Sequence, residues 1–285
     1  MRIMRVGDRG SERPAVCSDD GGIRDISSIV SDINGNWLAS GGINQLKSLM
    51  LESNKNFPTL DSNGLRIGAP LARPGNIIAI GLNYEDHALE AGMEIPEEPI
   101  IFCKAPSSYS GPNDDVLIPP GSTKTDWEVE LGIVIGKEAK YLKSEIEALE
   151  YIAGYCVVND VSERALQLER GPTWIKGKSA ESFCPVGPWL VTPDEINDPG
   201  NLSMLLSVNG EVRQKGSTNT MIFGPAYIVW YCSQFMVLEP GDLIATGTPP
   251  GVGMGLKPPV YLKAGDIMEL EIEGLGKQKQ KVIKG

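Results

Sequence analysis

Two glutamates one residue apart, Glu128 and Glu130, stand in the run TDWEVELGIVIG at residues 125–136. In an extended strand alternate side chains share a face, so the two carboxylates project together, roughly 6.6–7 Å apart along the chain. Val129, Leu131 and Ile133 point the other way. Two like charges side by side repel, and a cation between them relieves the repulsion. Alternating glutamates also decorate solvated strand faces, so the pair alone leaves both readings open. Asp160 adds a third carboxylate. It follows the apolar run Tyr155–Val158, and strand ends are where sites are commonly built, although Asp also caps helices well. Three oxygen donors without a Cys or His cluster favour Mg2+ or Mn2+ over zinc.

The chain has one histidine, His87, with Glu90 three residues on. On a helix the two share a face. A carboxylate beside an imidazole fixes its tautomer and strengthens it as a base toward water. A surface histidine with a casual neighbour fits the same spacing. Lys104 ends the apolar stretch PIIFCK, and Lys178 lies in the turn-rich IKGKSAESFCPVGPW. A buried ammonium is costly unless it meets an anion, whereas a lysine stem can also snorkel to solvent. Arg164 and Gln167, three apart after Asp160, either face the same site or line a solvated helix face. TGTPPGVGMG (246–255) lacks the GK[ST] ending of a phosphate-binding loop. Its backbone amides and Thr248 form either a carboxylate-binding nest or a structural loop.

The elements that would position these residues are legible in outline. NIIAIGL, the Glu128–Gly136 segment and YCVVND read as buried strands. NYEDHALEAGM reads as a short helix with Asn83 as N-cap and Gly92 as its stop. SEIEALEYI, VSERALQLER and TMIFGPAYIVWYCSQF have helical spacing. SMLLSVNGEVRQKG is a hairpin around a type I′ Asn209-Gly210 turn, and DIMELEIEGLGKQKQKVI is a second hairpin. Residues 1–70 read as a small α/β appendage: strands in MRIMRV and RPAVCSDD, then a helix in INQLKSLMLES with Ile43, Leu46, Leu49 and Met50 on one side. Arg66–Gly75, with two prolines, reads as a linker to a second domain at 74–285.

The net charge of −11 argues against nucleic acid or an anionic membrane as a partner, since both need basic patches. A small anionic substrate stays open, because a bound cation reverses the field locally. The five cysteines are widely spaced and odd in number, which fits buried thiols in a reducing compartment. No stretch is long and apolar enough for a membrane span, and the expectation is a cytoplasmic protein.

The blocks NYxxHAxE, FxKxPSS, DWEVELGIVIG, NDVSER, KGKS…FCPVGPW and GDLIATGTPPGVG occur in that order. Together they resemble the fumarylacetoacetate hydrolase superfamily over about residues 74–283. The N-terminal segment, SERxLQLERG and GMGxKPPVYLKxGD further resemble a bacterial subgroup that contains 2,4-diketo-3-deoxy-L-fuconate and L-rhamnonate hydrolases. The resemblance implies an α+β fold whose large domain has mixed β-sheets rolled into a partial barrel, a homodimer, and dependence on Mg2+ or Mn2+. It implies metal carboxylates at Glu128, Glu130 and Asp160, a His87–Glu90 dyad on a lid helix, and a catalytic Lys178. Lys104, Arg164, Gln167 and Thr248 fall on substrate-contacting positions. The implied reaction is hydrolysis of a 2,4-diketo acid at C3–C4, releasing pyruvate. Decarboxylation, isomerisation of a hydroxyhexadiene-dioate and ureidoglycolate cleavage share the frame and remain open. A Schiff base on Lys178 would be a metal-free alternative.

Overall fold

The computed structural model describes residues 1–18, 20–51, 57–90, 92, 94–171 and 173–285. Of the segments read above, Asp19, Glu52, Ser53, Ala91 and Met93 lie outside the described residues. The chain opens with β1 (Arg2–Val6), β2 (Arg13–Cys17) and β3 (Ile23–Asp25), then α1 (Gly35–Ala39) and α2 (Gly42–Leu51). Next come β4 (Ile77–Gly81), α3 (Glu85–Glu90), β5 (Ile100–Lys104), β6 (Tyr109–Ser110), β7 (Val116–Ile118), β8 (Thr125–Asp126) and β9 (Val129–Ile135). After α4 (Glu145–Ala148) follow β10 (Ile152–Asn159), β11 (Ser162–Glu163), α5 (Arg164–Leu168), α6 (Ile175–Lys178) and β12 (Cys184–Val191). The remainder is β13 (Ser203–Val208), β14 (Glu211–Ser217), α7 (Pro225–Cys232), β15 (Leu243–Ala245), β16 (Ile267–Ile272) and β17 (Gly276–Lys284).

Two mixed sheets organise the molecule. The larger runs β3-β2-β1-β12-β10-β9-β15-β4-β5, with β6 added beside β12; the smaller runs β14-β13-β16-β17-β7. Period-two alternation on β9 and β10 sorts their side chains. Val129, Leu131, Ile133, Tyr155 and Val157 pack toward Leu206, Met268, Leu270 and α7. Val134, Cys156 and Val158 face the opposite side, in a second core with Leu38 and Leu46 of α1 and α2. Glu128, Glu130 and Asp160 have the parity of this second set, at the end of the two strands where Val158 pairs with Glu130. The large sheet is curled. Flat, the four strand spacings from β10 to edge strand β5 would span roughly 19 Å, yet Lys104 of β5 bonds Asp160 at the end of β10. The sheet stays open, with no closed barrel among the described residues.

The N-terminal strands extend this same sheet, β1 pairing antiparallel with β12, so the sheet is continuous across the expected 70/74 boundary. The expected linker is a packed strap. Ile67 bridges Val6, Leu71 is buried, and Arg66 is held by Asp114 and Glu12. Both hairpins form where expected, and Asn209 and Gly210 both take positive φ, at 53° and 78°, as a type I′ turn requires. The helices are shorter than their periodicity implies. α7 begins only at Pro225, because proline forces the preceding residue out of helical geometry and suits the first helical position. α5 begins only at Arg164, because Ser162 and Glu163 pair with Asp126 and Thr125. Asn83 does not cap α3. Its buried side chain bonds the backbone of Phe223 in both directions and Thr246 O, pinning the base of α3. Gly92 does stop the helix, at φ 67°. Cys156, Cys184 and Cys232 are buried, but Cys103 is exposed, since β5 is an edge strand. No helix among the described residues is long and apolar enough to cross a membrane.

Gly132 lets β9 and β10 close up beneath the carboxylates: a Cβ there would sit 2.6 Å from Val158 Cγ2 and 2.7 Å from Cys156 Sγ. Gly132→Ala is expected to cost about 1–3 kcal/mol through overpacking, read as a lower denaturation midpoint. An unchanged midpoint would show that the strand pair yields without cost.

Candidate active site

Glu128 and Glu130 are carried by the start of β9, and Asp160 N donates to Glu128 O at 2.9 Å, which locks Asp160 beside them. One carboxylate oxygen from each lies within 4.8 Å of the others, and all three residues are buried, at 5%, 2% and 0% exposure. Such crowding needs counter-charge. Lys178 Nζ donates to Glu128 Oε2 and Asp160 Oδ2, each at 2.7 Å. Lys104 Nζ bonds Asp160 Oδ1 from the other side and Val161 O at 3.3 Å. Arg164 Nη1 meets Glu128 Oε1 at 2.7 Å. Glu130 is the exception. No lysine or arginine of the described residues forms an ion pair with it, and it accepts only the Gly247 N–H, at 2.8 Å.

The protonation tendencies follow from these contacts. Burial opposes charge on Glu128, but Lys178, then Arg164 and His87, overcome it and hold its carboxyl well below the usual range. Burial, with the charges of Asp160 and Glu128, pushes Glu130 well above that range. Burial lowers Lys178, yet Asp160 and Glu128 outweigh it and keep the amine protonated. A raised, doubly paired ammonium is a poor Schiff-base nucleophile, which disfavours the metal-free reading.

The donor set fits a divalent cation. Counting Asp126, four buried carboxylates face three cations, Lys104, Lys178 and Arg164, which leaves one negative charge in excess. With all four carboxylates ionised, a divalent ion would turn that excess into one positive charge. All-oxygen ligation suits Mg2+ or Mn2+.

Facing the cluster across a cavity of ≈ 70 Å³ is His87, with Arg164, Gln167, Lys178 and Thr248 also on its walls. His87 Nδ1 and Glu90 Oε2 are 3.3 Å apart, so the expected dyad is assembled. Glu90 is seated by the Gly251 N–H, 3.1 Å from each of its oxygens. Arg164 Nη1 also donates to Gln167 at 3.0 Å, while Nη2 is buried with no hydrogen-bond partner among the described residues. Two expected substrate contacts are differently employed. Lys104 is absent from the cavity wall, its ammonium serving Asp160. Thr248 lines the cavity, but its one hydroxyl proton goes to Val129 O at 2.9 Å.

Two residues escaped the sequence reading. Asp126, fully buried, accepts from Arg164 Nε, Gly253 N and Met254 N, tying the arginine to the glycine-rich loop. The alternation Asp126, Glu128, Glu130 was the available signal. Gln214 accepts from Val129 N and donates to Thr248 Oγ1 and Pro249 O, so β14 braces both β9 and the loop. Nothing in a polar hairpin strand marks that residue as turned inward.

Residues 76–283 match the family model of the fumarylacetoacetate (FAA) hydrolase C-terminal domain. A 2,4-didehydro-3-deoxy-L-rhamnonate hydrolase from Sphingomonas sp. (strain SKA58) is 52% identical, the match covering 99% of this chain and 96% of that protein. The fumarylacetoacetate hydrolase from Exiguobacterium antarcticum superposes with TM-score 0.86 at 36% identity, covering 100% of both chains. Maleylpyruvate hydrolase from Sphingobium sp. SYK-6, solved with manganese(II) and pyruvate, gives TM-score 0.81 at 28% identity, also over 100% of both.

The cluster makes metal affinity depend on pH. A raised Glu130 carboxyl means that the metal-free fold holds a proton the unfolded chain has already released. Stability therefore falls as pH rises from Glu130's ordinary value toward its raised one. A cation competes with that proton and removes the penalty. The rise in Tm on adding Mn2+ is expected to be larger at pH 8 than at pH 5.5, and to be lost in Glu130→Gln. An equal rise at both values would contradict the protonated cluster.

Proposed function

The chain belongs to the fumarylacetoacetate hydrolase family, and we propose that it hydrolyses the C3–C4 bond of a 2,4-diketo acid. The skeleton we favour is that of 2,4-diketo-3-deoxy-L-rhamnonate, or its L-fuconate isomer, giving pyruvate and L-lactate. The observation that carries this reading is His87, paired with Glu90, sharing one cavity with Glu128 and Glu130, which Asp160 joins in a single carboxylate cluster. The Sphingomonas relative supports the sugar-acid skeleton, and the pyruvate and manganese(II) bound to the maleylpyruvate hydrolase support the α-keto-acid end.

Glu128, Glu130 and Asp160 would hold a Mg2+ or Mn2+ ion, which supplies Lewis acidity toward the carboxylate and 2-oxo group of the substrate. Arg164 Nη2 would bind the carboxylate, with Thr248 beside it on the cavity wall. His87, oriented by Glu90, takes a proton from water as the oxygen bonds to C4. The Lys178 ammonium stabilises the oxyanion that forms at C4. When the C4 carbonyl re-forms, the C3–C4 bond breaks and its electron pair moves into the pyruvate enolate. The proton on His87 then returns to C3. Water's oxygen ends in the new carboxylic acid, which releases its remaining proton to solvent, so atoms and charge balance. Decarboxylation needs no attacking water, and the assembled dyad favours hydrolysis over it. A homodimer is proposed on the resemblance alone.

His87→Ala is expected to lower kcat by about 10²–10⁴-fold with Tm little changed. Near-normal turnover would remove His87 from the mechanism. Chelation by EDTA should abolish pyruvate release and Mn2+ or Mg2+ should restore it; full activity in excess chelator would remove the metal.

A further inference from the structure

We infer that Trp174, backed by Phe102, selects substrates by the tail beyond C4 and favours an apolar, methyl-ended monoacid over a diacid. The inference rests on the proposed keto-acid chemistry. The cavity has two unlike ends. Glu128, Glu130, Arg164 and Lys178, all buried, mark its inner end; Phe102, Leu168, Trp174 and Met254, all partly exposed, form its outer wall. Phe102 joins the two, since Lys178 Nζ lies 5.2 Å from its ring centroid. Trp174 meets the same ring edge-on, with centroids 5.2 Å apart and planes at 68°. The order outward is therefore ammonium, phenyl, indole. Leu168, 48% exposed, marks the mouth.

Local structure holds this wall in place. Phe102 and Lys104 are two apart on β5 and share its face toward the cluster. Trp174 precedes α6, four residues before Lys178, so one helical face presents both indole and ammonium. Gly81, ending β4, makes room for the ring: a Cβ there would lie 2.4 Å from Trp174 Cζ3. A substrate anchored by its carboxylate and 2-oxo group at the inner end lays its last carbons on this wall. Each methylene buried there is worth about four-fold in affinity. A second carboxylate would lose its water, and the side chains of Phe102, Leu168 and Met254 offer it no charge or hydroxyl in exchange.

The test uses the Mn2+-loaded protein with two readouts. The first is binding, by thermal shift and indole fluorescence, of pyruvate, 2-oxobutanoate, 2-oxohexanoate and 2-oxoglutarate. Affinity should rise along the monoacids and fall at least ten-fold for 2-oxoglutarate against 2-oxohexanoate. Trp174→Ala should flatten this order, Trp174→Phe should keep most of it, and both should retain the Mn2+-induced rise in Tm. The second is pyruvate release from acetylpyruvate, a longer acylpyruvate and fumarylpyruvate. Trp174→Ala should raise KM for the apolar tails roughly ten-fold with kcat little changed. A flat order in the wild type, or an order untouched by Trp174→Ala, overturns the inference. An intact binding order without turnover of any acylpyruvate sinks the C–C hydrolase reading and leaves the selective wall standing.

Discussion

Three buried carboxylates held within 4.8 Å of one another is the constraint to which the rest of this molecule conforms. Left alone, such a group would repel itself apart or take up protons. The fold answers with cations delivered from separate elements: Lys104 from β5, Lys178 from α6 and Arg164 from α5. No two come from neighbouring strands, so the sheet has to curl and the two short helices have to pack on it. The compensation is incomplete. Glu130 keeps one backbone N–H and two hostile neighbours. That leaves a shortage of positive charge that a divalent cation would fill.

Around that centre, few groups serve one purpose. The loop after β15 gives Gly247 to Glu130, Thr248 to the cavity wall and Gly251 to Glu90. The same loop is tied down by Asp126 and Gln214. The glycines allow this crowding: at Gly251 a Cβ would lie 1.9 Å from Arg213 O, on a backbone with φ 102°. His87 on α3 and the glutamates at the start of β9 are thus registered through a shared loop. That common reference is how a histidine far along the chain from Asp160 is held at a fixed position relative to it.

Much of this was legible from residue types and spacing. The parity of Glu128 and Glu130, the i,i+3 pair at His87, the strand ends and both hairpin turns are local patterns, and local patterns survive folding here. What failed was also local in cause. Helical spacing over VSERALQLER and around GPAYIVWYC overstated helix length, because strand pairing at Ser162 and a proline at 225 override it. Asn83 looked like a cap, yet its amide is spent on two distant backbone segments. The bond from Lys104 to Asp160 joins residues 56 apart, which no short window shows. Gln214 and Asp126 went unseen for the same reason. Their partners lie up to 128 residues away, and sheet curl is not encoded in any short window.

The two ends of the cavity differ in how freely they can change over generations. At the inner end each side chain is a partner to several others, and exchanging one leaves a stranded charge behind. Selection sees that loss at once, whatever the substrate. Phe102, Leu168 and Met254 neutralise nothing, so replacing them alters what fits without unsettling what reacts. A scaffold divided in this way accumulates new substrates faster than new reactions. Its descendants would come to share a chemistry while differing in diet.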